Sequence, residues 1–138
     1  MAPPAPSHRL TIRVYYEDTD LAGIVYYANY LKFIERARTE WVRGLGIDQT
    51  RVKAEAGVVF AVRRIEADYI LPARFDDLLS VETKLVGVTA ARVVLGQRVW
   101  RDATLLFDAS VMLVALTETG RPARLPAEFR SALGDLPD

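Results

Sequence analysis

Cysteine is absent from this 138-residue chain, so it has no disulfide framework, no thiolate nucleophile and no cysteine-based zinc or iron–sulfur site. Histidine occurs once, as His8, in the opening stretch MAPPAPSHRL. A Ser-His-Asp triad, a Cys-His pair or a multi-histidine metal centre needs a histidine inside the fold. Any chemistry is therefore left to carboxylates, hydroxyls, arginines and backbone groups, and no metal or redox cofactor is expected. Lysine is confined to Lys32, Lys53 and Lys84, so a local anion-binding patch would be built from arginine. The formal net charge is +0, which supplies no overall field toward nucleic acid or an anionic membrane. No apolar run reaches the length of a signal-peptide core or a membrane span, and the cytoplasm is the default compartment.

What is present describes a folded domain. Hydrophobic residues make up 51% and charged residues 26% of the chain, enough to bury a core. Residues 1–8, rich in proline and alanine, read as a disordered leader, and 9–138 as a single domain. Leu10, Ile12 and Val14 alternate with polar neighbours, so Arg9 to Glu17 reads as a strand. From Asn29 to Leu45, apolar residues recur at Tyr30, Ile34, Ala37, Trp41 and Leu45, with Leu31, Phe33 and Val42 widening the arc. This is a long helix stopped at Gly46. So wide an apolar arc predicts a helix wrapped by a sheet.

Asp48 to Ala56 reads as a short helix closed by Gly57, and Pro126 to Leu133 as a terminal helix. Val58–Leu71, Leu78–Val88, Ala91–Arg101 and Thr104–Thr117 read as strands, joined by short connectors as antiparallel hairpins, with the last of them inside the sheet. The expected architecture is α+β, an antiparallel sheet of about five strands around one central helix. One helix cannot cover so much sheet, so a second subunit is expected.

Glu17, Asp18 and Asp20 crowd the mouth of the long helix in YYEDTDLAGIVYYANY. On spacing alone, Asp18, Thr19 or Asp20 would be a helix cap. Gly23 permits a tight turn, and the amides of Val25 to Tyr27 fall where a helix would begin and its N–H groups lack partners. Glu35 is a second carboxylate on the helix, read as pairing with Arg38. Arg63 interrupts the apolar face formed by Val59, Ala61, Ile65, Ala67, Tyr69 and Leu71, first as an ion-pair partner at an interface and second as a substrate contact. Tyr15, Tyr16, Tyr26, Tyr27 and Tyr30 are aromatic lining for an apolar channel, or core. Trp41 and Trp100 read as core packing. Asp76, Asp77 and Glu82 make only a weak oxygen-donor set, better read as the end of a loop.

The run VYYEDTDLAGIVYYANYLKFIERARTEWVR resembles the opening motif of hotdog-fold acyl-CoA thioesterases of the 4-hydroxybenzoyl-CoA thioesterase branch. It is most similar to the Tol-Pal-associated acyl-CoA thioesterases, and the similarity continues through FAVRRIEADYILPARFDDLL and GQRV. The resemblance implies a sheet wrapped around the central helix, edge-to-edge dimers or dimers of dimers, and active sites at the subunit interface. It implies hydrolysis of short aliphatic or aromatic acyl-CoA, with acyl-acyl carrier protein as another acyl donor. It matches Asp20 to the catalytic carboxylate, as nucleophile or general base, and the Tyr27 amide to the donor that polarises the carbonyl. Gly23, Val25, Tyr26, Tyr30, Arg63 and Arg92 are the substrate-contacting set, Arg92 for phosphate. Members of the Tol-Pal branch commonly carry His where this chain has Tyr27; the 4-hydroxybenzoyl-CoA enzyme has Tyr. The loop GVTAARV lacks the basic cluster that relatives use near the CoA nucleotide. The rival expectation is a hotdog module that binds acyl groups or envelope and lipid-synthesis proteins without turnover.

Overall fold

The computed structural model describes residues 7–133. Its elements run β1 (Ser7–Arg13), a 3-10 turn (Tyr16–Asp18), α1 (Asn29–Gly44), α2 (Gln49–Ala56), β2 (Val58–Tyr69), β3 (Leu78–Val88), β4 (Arg92–Arg101), β5 (Thr104–Thr117) and α3 (Ala127–Leu133). The expected leader lies mostly outside the described residues, but its last two positions do not: Ser7 and His8 belong to β1, where His8 pairs with Thr83. The strand also stops earlier than alternation alone predicted, at Arg13, and Glu17 and Asp18 sit in the 3-10 turn that follows, with Asp20 just beyond it.

The five strands form one antiparallel sheet in the order β1-β3-β4-β5-β2. β3, β4 and β5 are successive hairpins. β2 and β3 are not, because residues 70–77 carry the chain from one edge of the sheet across to β3. This crossover is tied down as it goes. The Ile70 and Leu71 amides donate to the Leu106 carbonyl, the Ala73 carbonyl accepts from Val25, and Val14 exchanges hydrogen bonds with Asp76 and Asp77.

The central helix α1 buries Tyr30, Phe33, Ile34, Ala37, Trp41 and Val42 at three- and four-residue spacing, while Leu31 points outward. It packs on β1, β3 and β4. Displaced from β2, it leaves a cavity of about 230 Å³ bounded by Glu35, Arg38, Thr39, Phe60, Val62 and Phe129 among others. The core falls into two clusters, one around Phe33, Ile34 and Phe107, the other around Trp41, Leu95 and Phe129. Trp100 joins neither: its indole N–H donates to Glu82 and Arg9 lies over its ring, 5.8 Å away. α2 is bounded as its sequence foretold, with the Asp48 carboxylate accepting from the Thr50 and Arg51 amides and Gly57 in the left-handed conformation.

The apolar face expected along β2 is divided by a β-bulge. Registry against β5 shifts between Val62 and Arg64, leaving Arg63 as the extra residue. Before it Phe60 opposes buried Ala115, and after it Ile65 opposes buried Val111. Even-numbered residues face inward in the first half and odd-numbered ones in the second, so Val59 and Ala61 do not share a face with Ile65. A second shift, between Val99 and Trp100 opposite β5, leaves Leu106 as the extra residue there, and its side chain is in the core.

Between helix and sheet, Gln97 is fully buried. Its amide donates to the Ile34 carbonyl (2.8 Å) and Thr83 Oγ1 (2.9 Å), and its oxygen accepts from Arg38 (3.0 Å). Replacing Gln97 by Leu should lower unfolding free energy by about 1–3 kcal/mol, because Thr83 and Arg38 lose their partners. Adding Thr83→Val should recover part of the loss, and urea unfolding of the single and double variants measures both.

Candidate active site

The acid-rich segment is shaped by Asp18, which is 6% exposed. Its Oδ2 accepts from the Tyr15 amide at 2.8 Å and its Oδ1 from Asn29 Nδ2 at 3.0 Å. Its own carbonyl accepts from the Tyr26 amide at 2.8 Å. One residue therefore joins the end of β1, the loop beyond it and the first residue of α1.

From Asp20 to Ile24 the chain doubles back. The Asp20 amide donates to the Ile24 carbonyl (2.9 Å), the Gly23 amide donates to the Asp20 carbonyl (3.0 Å), and Gly23 adopts φ +80°. That positive φ is why glycine stands there. Asp20 Oδ1 accepts from the Ala22 amide at 2.9 Å. Asp20 caps no helix: the residue preceding α1 is Ala28, which has no side-chain cap. The side chain is exposed at the rim of a pocket instead.

After this hairpin the backbone amides are used selectively. Val25 donates to Ala73, Tyr26 to Asp18, and Asn29 to Tyr26. Among the described residues the Tyr27 amide has no hydrogen-bond partner. The Tyr27 carbonyl accepts from the Tyr69 hydroxyl at 2.9 Å, and the Tyr30 hydroxyl accepts from the Ala73 amide at 3.0 Å.

These residues surround a pocket of about 350 Å³ lined by Asp20, Ile24, Val25, Tyr26, Tyr27, Tyr30, Tyr69, Ile70, Leu71 and Pro72. Among the described residues, Asp20 is the only carboxylate or cationic group on a wall otherwise made of aliphatic and phenolic side chains. Burial pushes the Tyr30 and Tyr69 hydroxyls above their ordinary pKa. Tyr26 is raised as well, chiefly by Tyr27 beside it.

The structure thus brings Asp20, Val25, Tyr26, Tyr27 and Tyr30 together, with Gly23 in the turn beside them. Tyr15 and Tyr16 point to solvent and line nothing here. Arg63 sits in the β2 bulge, six residues before Tyr69 and about 20 Å along the strand. Arg92 opens β4, its amide bonded to Thr89 Oγ1. Neither lines this pocket within one chain. Glu35 accepts from Thr39 (2.9 Å) and Arg38 donates to Gln97, so the expected Glu35–Arg38 ion pair is not formed; burial lowers the Arg38 pKa, opposed by Glu35. No cluster of metal-ligating side chains occurs among the described residues. Asp77 accepts from Arg101 and from the Arg74 amide, ending the crossover before β3.

Residues 14–133 match the family described as the Thioesterase-like superfamily. The chain belongs to this superfamily. It is 42% identical over 127 residues to the acyl-CoA thioesterase YbgC of Haemophilus influenzae, covering 91% of this chain and 93% of that protein. Among solved structures of the superfamily's kind, it is similar to a probable thioesterase from Bartonella henselae (TM-score 0.84, 35% identity, 88% of this chain and 100% of that one). A 4-hydroxybenzoyl CoA thioesterase complexed with 4-hydroxybenzoyl CoA shares the fold at TM-score 0.87 and 23% identity, over 93% and 99% of the two chains. The expected hotdog architecture is therefore the one observed, sheet around central helix.

Asp18 and Asp20 should separate cleanly by mutation. An asparagine at 18 offers one acceptor where two donors point, so Asp18→Asn should cost about 2–3 kcal/mol. Asp20→Asn removes no buried contact and should change stability by less than about 0.5 kcal/mol. Thermal unfolding of both variants provides the comparison.

Proposed function

We propose that this superfamily member hydrolyses acyl-CoA thioesters to free acid and CoA at the Asp20–Tyr27 pocket. The observation that carries the proposal is the conjunction of an exposed carboxylate and an unpartnered backbone N–H on the wall of one apolar pocket. Thioester hydrolysis needs those two elements: a group that delivers oxygen to the carbonyl carbon, and a donor aimed at the oxygen on which charge develops. The relatedness to an acyl-CoA thioesterase at 42% identity supports the same reaction class.

In this reading the Tyr27 N–H polarises the thioester carbonyl. The Asp20 carboxylate then either attacks the carbon, giving an anhydride that water opens, or takes a proton from the water that attacks. Both routes expel the CoA thiolate, and both use the same geometry. Val25, Tyr26 and Tyr30 contact the acyl group, with Gly23 setting the hairpin. A pocket of about 350 Å³ suits a short aliphatic or single-ring acyl chain, since sites for larger ligands reach about 1,000 Å³. The pantetheine thioester is common to CoA and acyl carrier protein, so both belong in the assay.

Two copies joined along β2 complete the assembly in this proposal. β2 bonds to β5 on one side only, and Val62 and Tyr69 on it, with Ile70 and Leu71 just beyond its end, are exposed. An unpaired strand with an apolar rim is the feature a second subunit covers. Arg63 and Arg92, remote from the pocket of their own chain, would reach substrate only across that interface.

Release of free thiol from a panel of acyl-CoA and acyl-acyl carrier protein substrates tests the reaction. Asp20→Asn should reduce turnover by about 100-fold or more with the oligomer intact. Tyr27 occupies the second position of a turn closed by the Asn29 amide on the Tyr26 carbonyl, a place that accepts proline. Tyr27→Pro deletes the N–H and should cost about 100- to 1000-fold, whereas Tyr27→Phe, which keeps it, should cost far less. Equal activity of Asp20→Asn and wild type would remove Asp20 from the reaction.

A further inference from the structure

The segment DYILPARFDD contributes a residue that the reaction as proposed does not use. Tyr69 ends β2, pairing with Phe107, and the two amides after it both bond to the Leu106 carbonyl. Its backbone is thereby fixed to β5 just where the chain leaves the sheet edge for the crossover. Its ring is fixed independently, edge-on to Tyr30 (5.4 Å between centroids) and to Phe107 (5.0 Å), with Tyr27 at 6.2 Å. Held in this way, the hydroxyl donates to the Tyr27 carbonyl at 2.9 Å.

That bond falls on the residue whose own N–H is free. The peptide unit carrying the Tyr27 N–H also carries the Tyr26 carbonyl, which accepts from Asn29. The Tyr26 amide, on the preceding unit, is held by Asp18. The following unit carries the Tyr27 carbonyl, and among the described residues its only side-chain donor is Tyr69. Two of these three restraints belong to the loop and helix; the third comes from the sheet. We infer that Tyr69 is a positioning residue, its hydroxyl holding the Tyr27 residue so that the free N–H points steadily at the substrate carbonyl oxygen. The inference rests on the proposed thioesterase reading of the pocket. It assigns the sheet edge a part in the chemistry, since the end of β2 bonds the active loop directly through this hydroxyl.

Tyr69→Phe is the direct test, because phenylalanine preserves the ring contacts and removes only the donor. A small displacement of a reacting group is enough to cost roughly 10- to 100-fold in rate, so kcat should fall by roughly that factor with KM within about twofold. In the same protein the Tyr27 amide resonance, followed by ¹⁵N NMR, should shift while signals across β3 and β4 stay in place. Three results overturn the inference: an increase in KM with kcat unchanged, which makes Tyr69 a substrate contact; a lower melting temperature with both constants unchanged, which makes it structural; or a Tyr27 amide that does not move. Should the wild type release no thiol from any acyl donor, the thioesterase proposal fails by itself. The NMR comparison then still decides whether Tyr69 holds Tyr27.

Discussion

A carboxyl group taken out of water is tolerable only when its oxygens find donors, and Asp18 finds them in two different parts of the chain. The requirement reaches well beyond the side chain. To satisfy it, the end of β1 must turn through a 3-10 loop, α1 must begin with Asn29 facing inward, and the strand-like stretch between must return close enough for Tyr26 to bond the Asp18 carbonyl. The hairpin that exposes Asp20 and the turn that leaves the Tyr27 amide without a partner are both consequences of that closure. A loop tied at its base this firmly can present a rigid pocket wall while its tip, at Leu21, stands in solvent.

The crossover from β2 to β3 is the second support. It passes beneath the loop as Ile70 to Asp77, receiving Val25 at Ala73 and offering the Ala73 amide to Tyr30. Arg101 holds its far end through Asp77. A connection that would otherwise be a liability, long and away from the sheet, thus forms one side of the pocket. Both backbone groups of Ala73 are satisfied by residues that line the site, Val25 and Tyr30, which couples the integrity of the pocket to the topology of the sheet.

Much of this was legible in the residues. The spacing of Tyr30, Ile34, Ala37 and Trp41 located α1, Asp48 and Gly57 bounded α2, and all four long strands, β2 to β5, were placed within a residue or two. The opening motif pointed to the superfamily and to the Asp20 loop. Other features were hidden for definite physical reasons. Alternation assumes an unbroken register, so it carried the inward face of β2 straight through Arg63, where one extra residue reverses it. Spacing could not tell which acid is buried, because Asp18 and Asp20 are equally placed ahead of the helix and differ only in what folds back onto them. Tyr69 looked like one more apolar position on a strand; its partner is a backbone carbonyl 42 residues earlier, and nothing local encodes such a contact. Glu35 and Arg38 lie one turn apart, as ion pairs do, yet each bonds elsewhere because Gln97 of the sheet competes for the arginine.

The bulge at Arg63 has a bearing on how the molecule avoids sticking to the wrong neighbour. A long, flat, unpaired strand is a general template for other chains, and unrelated strands can add to it in any register. β2 is twelve residues long, enough to be such a hazard. The extra residue breaks its outer ladder into two shorter runs and adds local twist, while Arg63, Arg64, Glu66 and Asp68 place fixed charges along them. A strand arriving in an arbitrary register meets an interrupted ladder and mismatched charge, so the edge admits a partner whose own irregularity and charge order fit and turns others away.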